Sequence, residues 1–253
     1  MLTRVERYIA RNLAKGLYRR PIHLRLARPI ISFTFDDFPR TALQRGGAIL
    51  KEYDVRGTYY ISMGLVGKES PSGPICSVDE IQKLAEDGHE LGCHTYSHCH
   101  SWNTPSERFE EAIEKNQAAL QEILPHYRLE TLSYPISEPR PDTKRRAGNH
   151  FRACRAGGQT FNQGRTDLNQ LSAYFLEQSG ENLEAVDTLI SRCVHARGWL
   201  ILATHDVQEN PSPYGCAPRF FEDVVQSAVK SGAQVLPVAE ALSVIQNEAA
   251  AAH

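Results

Sequence analysis

Residues 89–100 read His89-Glu-Leu-Gly-Cys-His-Thr-Tyr-Ser-His-Cys-His100 and contain four of the ten histidines of the chain. Residues 89–92 predict a short strand, and His94 and His98 follow it, four residues apart. On a helix or a tight turn this spacing places both imidazoles on one side, as metal ligands require. Because two nitrogens alone bind a divalent ion weakly, such a site needs a third, anionic ligand and an open position for water.

The best source of a third ligand lies upstream, in Ile30-Ile-Ser-Phe-Thr-Phe-Asp36-Asp37. The apolar, β-rich run from Pro29 to Phe35 predicts a buried strand. The two carboxylates follow it directly, so this strand would deliver both of them to one edge of a sheet.

Strands and helices alternate along the rest of the chain. We predict strands at 29–35, 55–63, 89–92, 129–134, 151–154, 199–204 and 234–236, a long loop at 156–167 and an irregular strand at 168–178. Helices are predicted at 41–53, 77–86, 104–124, 142–149 and 181–197, in the segment ending at Lys230, and after Pro237. This alternation is typical of parallel β/α units, so the expected fold class is α/β, with the sheet closed or nearly closed into a barrel.

Polar residues fall at or just after the carboxyl ends of five predicted strands. They are Asp36-Asp37, His94 to His98, Tyr134-Pro135, Arg152 to Arg155, and His205. Barrels of this class build their active sites on that face. We therefore expect these five groups to converge on one mouth.

Composition narrows the class of protein. At 253 residues the chain is long enough for one domain of α/β barrel size. Its formal net charge of -2, without a basic stripe interleaved with aromatics, gives no reason to expect a nucleic-acid partner. The six cysteines are spread without the short spacings of a disulfide framework, so we interpret them as reduced thiols in a cytosolic setting.

Residues 1–20 predict an N-terminal amphipathic helical segment, because their apolar positions recur at helical spacing. Charged residues interrupt the segment every few positions, so it has neither the apolar core of a signal peptide nor a membrane span. We expect it to pack on the domain or on a second copy of the chain, which would give a homo-oligomer, rather than on a membrane surface. Residues 21–253 would form one catalytic barrel, and we expect a cytoplasmic protein.

Four short motifs carry a resemblance to a known family. They are Thr34-Phe-Asp-Asp37, His94-Thr-Tyr-Ser-His98, Ser133-Tyr-Pro-Ile-Ser137 and Leu202-Ala-Thr-His205. In this order they resemble four successive motifs of the polysaccharide deacetylase family, also called the NodB-homology or carbohydrate esterase 4 family. The resemblance covers roughly residues 29–245. It implies an irregular (β/α) barrel of about seven parallel strands that hydrolyses acetyl groups on sugars.

The resemblance also implies roles for individual residues. Asp37, His94 and His98 would hold a divalent metal, with Zn²⁺ expected ahead of Co²⁺, Ni²⁺ or Mn²⁺. Asp36 would be the general base for a metal-activated water. His205 would be the general acid that protonates the leaving amine.

The third motif implies contacts to the substrate and to the oxyanion. They would come from Tyr134, Pro135 and the backbone N–H of Ile136. Many family members carry an arginine just before this motif to orient the base, and this chain has none there. Arg155 or Arg152 is expected to replace it, with Arg155 favoured.

An acidic partner for the catalytic histidine is not identified by the sequence. Asp167 is one candidate. Asp206 adjoins His205 in the chain but can point away from it.

The hypothesis for function is a metal-dependent deacetylase that removes N-acetyl, or less often O-acetyl, groups from an acetylated saccharide. A cytosolic nucleotide-linked or lipid-linked saccharide, or a short chito-oligosaccharide, would fit the expected location. One alternative is hydrolysis of a non-sugar amide, ureide or cyclic imide on the same fold. Others are a non-catalytic saccharide-binding protein, and a structural zinc site that adds Cys93 and Cys99 to the histidines.

Overall fold

The computed structural model describes residues 12–251. Residues 12–16 are helical, and the buried Lys144 side chain holds this segment by donating from Nζ to the carbonyl oxygen of Ala14 at 2.5 Å. Residues 1–11, which carry most of the predicted amphipathic helix, lie outside the described residues. The proposed division of the chain at residue 20 stays a prediction.

Short strands make up the sheets of the described chain. In chain order they are β1 (Pro21–Leu24), β2 (Ile30–Phe35), β3 (Thr58–Ile61), β4 (Glu69–Ser70), β5 (Gly73–Pro74), β6 (Glu90–Cys93), β7 (Thr131–Ser133), β8 (Ala153–Arg155), β9 (Gly164–Asp167), β10 (Tyr174–Phe175), β11 (Trp199–Thr204) and β12 (Gln234–Val235).

Helices alternate with the main strands, as predicted. The α-helices are Ala48–Glu52, Val78–Glu86, Ser106–Gln121, Pro141–His150, Leu183–His195, Pro218–Lys230 and Val238–Ala251, with a π-helical turn at Ala42–Gly47 and 3₁₀ turns at Met63–Leu65, Pro135–Ser137 and Leu176–Ser179. The helix Val78–Glu86 begins with a reciprocal cap in which Ser77 and Glu80 each accept the backbone N–H of the other.

The main sheet is parallel and curled. Seven strands follow the order β10-β11-β2-β3-β6-β7-β8, and β12 pairs with β2 as an eighth. The first two residues of β2 pair with β12 and the last two with β3, so β2 changes partner along one edge. Beyond β8 a parallel bridge joins Arg155 to Leu171 and continues the curl. The predicted irregular (β/α) barrel of about seven parallel strands is confirmed.

The central strands form the buried core of the barrel. Every residue of β2, β3, β6 and β11 is buried. Parallel strands covered on both faces read as continuous apolar runs, which is the pattern that predicted β2 and β11. Between β2 and β3 the ring of Phe35 stacks on that of Tyr59, with centroids 4.5 Å apart.

A two-stranded ribbon was not predicted. β1 pairs antiparallel with β9, from Pro21 opposite Asp167 to Leu24 opposite Gly164, whereas a loop was predicted at 156–167. β9 has the sequence Gly-Arg-Thr-Asp and so lacks the alternating apolar residues that indicate a strand. The predicted irregular strand at 168–178 contains only the two residues of β10, followed by the 3₁₀ turn.

All six cysteines are free thiols, and Cys99 alone among them is not fully buried. Within residues 12–251, no helix combines the length and the apolar character needed to cross a bilayer.

Candidate active site

Side chains from several strand ends meet at one edge of the sheet, as predicted. β11, β2, β3, β6, β7 and β8 are consecutive neighbours, so their carboxyl ends lie side by side. The amide of Asp36, just after β2, donates to the carbonyl of Thr204 at the end of β11 at 2.9 Å. This edge is therefore the mouth of the barrel.

Three potential metal ligands lie together at this mouth. The ligand atoms of Asp37, His94 and His98 are all within 4.8 Å of one another. Nε2 of His94 and Nε2 of His98 are 3.6 and 3.5 Å from Oδ1 of Asp37. That carboxylate oxygen is buried and has no hydrogen-bond partner among the described residues. Because a buried acceptor without a donor is costly, and two imidazoles with one carboxylate are typical zinc ligands, this donor set fits a divalent cation.

His94 is held in the form that a metal ligand needs. Its Nδ1 lies 2.8 Å from the carbonyl oxygen of Ser133, which only accepts, so Nδ1 carries the proton and the Nε2 lone pair faces Asp37. Burial, the largest influence, lowers the pKa of His94 to about 4. The imidazole is therefore neutral at pH 7.

A tight turn rather than a helix places His98 beside His94. The side-chain oxygen of Thr95 accepts the backbone N–H of Cys99 at 2.8 Å, which closes the turn. The two imidazole centroids are 4.9 Å apart. The predicted proximity of the two rings is therefore present in the structure.

Backbone strain is concentrated at this mouth. Non-glycine residues with left-handed φ values include Asp37 (62°), Phe38 (55°), Thr95 (59°), His98 (53°) and Ile136 (60°). Such conformations cost about 1–3 kcal/mol each and cluster at functional sites. For the β-branched Ile136 the conformation is especially unusual.

Asp36 and Asp37 are adjacent in the sequence, but their side chains contact different groups. The left-handed backbone at Asp37 and Phe38 turns the chain sharply, and the Phe38 ring enters the core 5.0 Å from that of Tyr59. Asp37 faces the histidines, while Asp36 is 3% exposed and faces Arg155. The two carboxylates can therefore act independently.

Arg155, at the end of β8, binds the carboxylate that it was predicted to orient. Its Nη2 donates to Oδ1 of Asp36 and, at 2.6 Å, to the side-chain oxygen of Ser133. The guanidinium carbon lies 5.1 Å from the ring centre of Tyr60 and 5.3 Å from that of Phe175. A Cβ at Gly92 would come within 2.4 Å of the Tyr60 ring, so the absence of a side chain at Gly92 leaves room for that ring beside Arg155.

Arg155 also keeps Asp36 ionised. Burial alone would raise the pKa of Asp36. The positive charge of Arg155 opposes it, with smaller contributions from His94, His205 and the Arg155 hydrogen bond, and the pKa of Asp36 lies well below its usual range. The carboxylate therefore carries its charge at neutral pH.

Arg155→Met is expected to lower the free energy of unfolding by about 3–5 kcal/mol at pH 7, because Asp36 is left as a buried charge without a partner. The loss should shrink at pH 5. In the native protein the pKa of Asp36 is depressed, so the ion pair stabilises fully at both pH values and is lost only well below the unfolded pKa. In the variant, burial raises that pKa, so acidification neutralises the unpaired charge. Urea unfolding of EDTA-treated protein at both pH values measures the difference.

Arg152→Met is the matched control. Arg152 lies at the opposite end of β8, where it donates to Glu130 at 2.6 Å and Ser243 at 3.0 Å, and its side chain is partly exposed. Its loss should cost less than about 1 kcal/mol. Equal, pH-independent losses in the two variants would show that Arg155 is not the counter-charge of Asp36.

His205 follows β11 at the same mouth. Its backbone N–H and its Nδ1 each lie 3.2 Å from the carbonyl oxygen of Tyr214. Because a carbonyl only accepts, Nδ1 carries a proton and Nε2 is the nitrogen left for a substrate.

The third motif is divided between the core and the mouth. The Tyr134 side chain is fully buried and donates from its hydroxyl to the carbonyl of Asn169 at 3.1 Å. It is therefore a core group rather than the predicted substrate contact. Pro135 is buried as well, whereas Ile136 is 56% exposed.

Three other candidates lie away from this arrangement. Arg152 precedes β8 and is not at a carboxyl strand end, which corrects its predicted placement. Asp167 pairs with Lys144 at 2.6 Å instead of with His205. Cys93 lies in the core, where burial raises the pKa of its thiol to about 12, so it is poorly suited to a structural zinc site.

Sequence reasoning missed several groups at this end of the barrel. Glu177 lies in the 3₁₀ turn after β10, where burial, the main cause, raises its pKa to about 8. Ser133 contacts His94 through its carbonyl and Arg155 through its hydroxyl. Ser133 lies inside the motif Ser133-Tyr-Pro-Ile-Ser137, which could have indicated it. No sequence pattern indicates Glu177. The backbone carbonyl of Tyr214 could not be predicted from residue type, because every residue carries one.

The fold and the donor set define a (β/α)-barrel protein with a candidate divalent-metal centre at the carboxyl ends of its strands. Residues 24–151, just over half of the chain, match the family model described as polysaccharide deacetylase. The chain belongs to that family. It is also 36% identical over 70 residues to a chitin deacetylase of Colletotrichum lindemuthianum, a match that covers 27% of this chain and 27% of that protein.

Solved structures share the barrel. The chitin deacetylase of C. lindemuthianum superposes with a TM-score of 0.60 at 18% identity, covering 87% of this chain and 89% of that one. A family 4 acetyl xylan esterase from Clostridium thermocellum, in complex with cobalt, gives 0.58 at 21% identity, covering 85% and 91%. The Xyl-CE4 domain of a multidomain xylanase from the hindgut metagenome of Trinervitermes trinervoides gives 0.60 at 15% identity, covering 88% and 92%.

Proposed function

We propose that this protein is a metal-dependent deacetylase that hydrolyses N-acetyl groups on a saccharide. One observation carries the proposal: a metal-ligand set and two separate acid–base groups share one mouth. Asp37, His94 and His98 hold the ligand atoms, Asp36 is kept apart from them by Arg155, and His205 comes from another strand. A missing metal ligand or a missing base would indicate a non-catalytic saccharide-binding protein. This chain carries all three ligand residues and the base.

A divalent cation on Asp37, His94 and His98 supplies Lewis-acid polarisation of the scissile carbonyl and acidifies water. Zn²⁺ is the proposed ion, because two imidazoles and one carboxylate form a typical catalytic zinc site, with Co²⁺, Ni²⁺ and Mn²⁺ as alternatives. The cobalt ion named in the C. thermocellum esterase supports a divalent cation.

The protein's own groups move the protons. Arg155 binds Oδ1 of Asp36, so Oδ2 is the oxygen that accepts a proton from the attacking water. His205, fixed through Nδ1, presents Nε2 to the leaving amine. In its doubly protonated form it donates the Nε2 proton that lets the amine depart, and it is left neutral with its remaining proton on Nδ1. The backbone N–H of Ile136 is proposed to donate to the oxyanion, a contact worth about 3 kcal/mol in other enzymes.

The sequence match to a chitin deacetylase supports an N-acetylated sugar as substrate. The fold shared with an acetyl xylan esterase makes an O-acetyl group the second candidate. The cytoplasmic location and the homo-oligomer stay predictions.

Acetate release with an equal yield of free amine from short N-acetylglucosamine oligomers tests the proposal. O-acetylated xylo-oligosaccharides would give acetate without amine, so the two products separate the candidates. His205→Ala should lower turnover by roughly 100-fold or more, whereas His126→Ala, at an exposed position, should leave it unchanged. Metal-loaded protein that releases acetate from neither substrate would contradict the proposal.

A further inference from the structure

His205 is oriented by a backbone carbonyl and not by an acidic side chain. The carbonyl oxygen of Tyr214 lies 3.2 Å from both the backbone N–H and Nδ1 of His205. The side-chain oxygen of Thr204 lies 3.5 Å from the same carbonyl. The direction of the His205 ring therefore depends on where the loop of residues 206–216 places Tyr214.

Asp206 anchors that loop from inside. It is fully buried, and its carboxylate accepts the backbone N–H of Ser212 at 2.8 Å, the Ser212 hydroxyl at 2.5 Å and the Gln208 side-chain amide at 2.8 Å. Its carbonyl oxygen accepts the backbone N–H of Cys216 at 3.0 Å. The carboxylate therefore holds Ser212 in the middle of the loop through two hydrogen bonds, and the main-chain carbonyl of Asp206 holds Cys216 at its far end.

A continuous chain of hydrogen bonds leads from Asp206 to His205. The Ser212 hydroxyl donates to Oδ1 of Asp206 and accepts the backbone N–H of Tyr214 at 3.1 Å. The carbonyl of the same tyrosine then accepts from His205. A Cβ at Gly215 would come within 2.4 Å of Oδ1 of Asp206, so the loop packs on Asp206 at a distance that only glycine allows.

We infer that Asp206 is a positioning residue that sets the tautomer and direction of His205 through Ser212 and the peptide of Tyr214. Its carboxylate fixes the orientation of the imidazole, as a directly bonded acidic partner would, but without contacting the ring. The inference rests on the proposed function, because it takes His205 as the general acid.

If Asp206 positions the general acid, its substitution should lower activity to an extent that depends on the leaving group of the substrate. An amine departs only after it is protonated, whereas 4-nitrophenolate departs as an anion. Asp206→Asn keeps the size of the side chain but weakens the anchor. It is expected to lower kcat for an N-acetylated chito-oligosaccharide by about 10- to 100-fold, with KM changed little. Turnover of 4-nitrophenyl acetate should fall by less than about threefold, since it needs no general acid.

Two further variants separate positioning from general damage. Ser212→Ala removes only the middle link of the hydrogen-bond chain between Asp206 and His205. It should give the same selective loss of activity to a smaller extent. Gln208→Ala removes a donor to Asp206 that has no link to Tyr214, so both substrates should be turned over as by the native protein. His205→Ala supplies the reference pattern for loss of the acid.

Equal losses on both substrates in Asp206→Asn and Ser212→Ala would overturn the inference. His205→Ala with undiminished activity on the N-acetylated substrate would instead overturn the acid assignment in the proposed function. Long-range ¹H–¹⁵N spectra of the His205 ring give a readout that needs no turnover. In its neutral form the native ring should carry its proton on Nδ1, and Asp206→Asn should mix the two neutral tautomers, whereas an unchanged tautomer in that variant would overturn the inference.

Discussion

Asp37→Ala is expected to lose bound metal and deacetylase activity together. Asp37 supplies the only anionic ligand of the three-residue site in the described part of the chain, and two imidazoles alone bind a divalent ion weakly. Because the ion contributes several kcal/mol of transition-state stabilisation, turnover should fall on the order of a thousandfold or more. Metal content by elemental analysis and acetate release on the same preparation measure both effects.

His98→Ala should reproduce this joint loss, since it removes a second ligand from the same site. The exposed His126 provides the control, and His126→Ala should keep full metal and full turnover. An Asp37→Ala protein that retains stoichiometric metal and native turnover would show that the ion binds elsewhere.

Asp36→Asn is expected to separate metal binding from catalysis. Its amide can still accept from Arg155 but cannot take a proton from water. Turnover should therefore fall by roughly 100- to 10,000-fold, the usual contribution of a positioned base. Metal content should stay at the native level, because Asp36 is bonded to Arg155 and is not one of the three ligands.

Asp223→Asn is a suitable control for this substitution. Asp223 lies on the helix Pro218–Lys230 and pairs with Arg219 at 3.1 Å on the surface. It should change neither metal content nor turnover. If Asp36→Asn lost metal as completely as Asp37→Ala, the two aspartates would share one role, and the assignment of Asp36 as the base would be wrong.

Much of the fold and of the candidate metal site was predictable because the signals are local. Continuous apolar runs marked β2 and β11, and both strands end at chemically distinctive residues, Asp36 and His205. Parallel strands share a carboxyl edge, so residues far apart in sequence could be assigned to one mouth. The motif His94-Thr-Tyr-Ser-His98 indicated a pair of ligands without any knowledge of the turn that joins them.

The remaining features depend on contacts between distant segments. The ribbon of β1 and β9 joins two strands that lack a clear apolar pattern. The sequence favoured Arg155 over Arg152 only slightly, because the two residues lie three positions apart and the exact ends of β8 determine which of them lies at the mouth. The hydrogen-bond partner of His205 could not be predicted for another reason. It is the backbone carbonyl of Tyr214, whose position depends on how Asp206 is hydrogen-bonded inside the loop.

The most direct test of the central claim is the metal content of protein purified without a metal-affinity tag, paired with acetate release before chelation, after chelation and after Zn²⁺ add-back. The account predicts about one ion per chain, loss of acetate release on chelation and its recovery with Zn²⁺. Acetate release that is insensitive to chelation, from protein without bound metal, would contradict it.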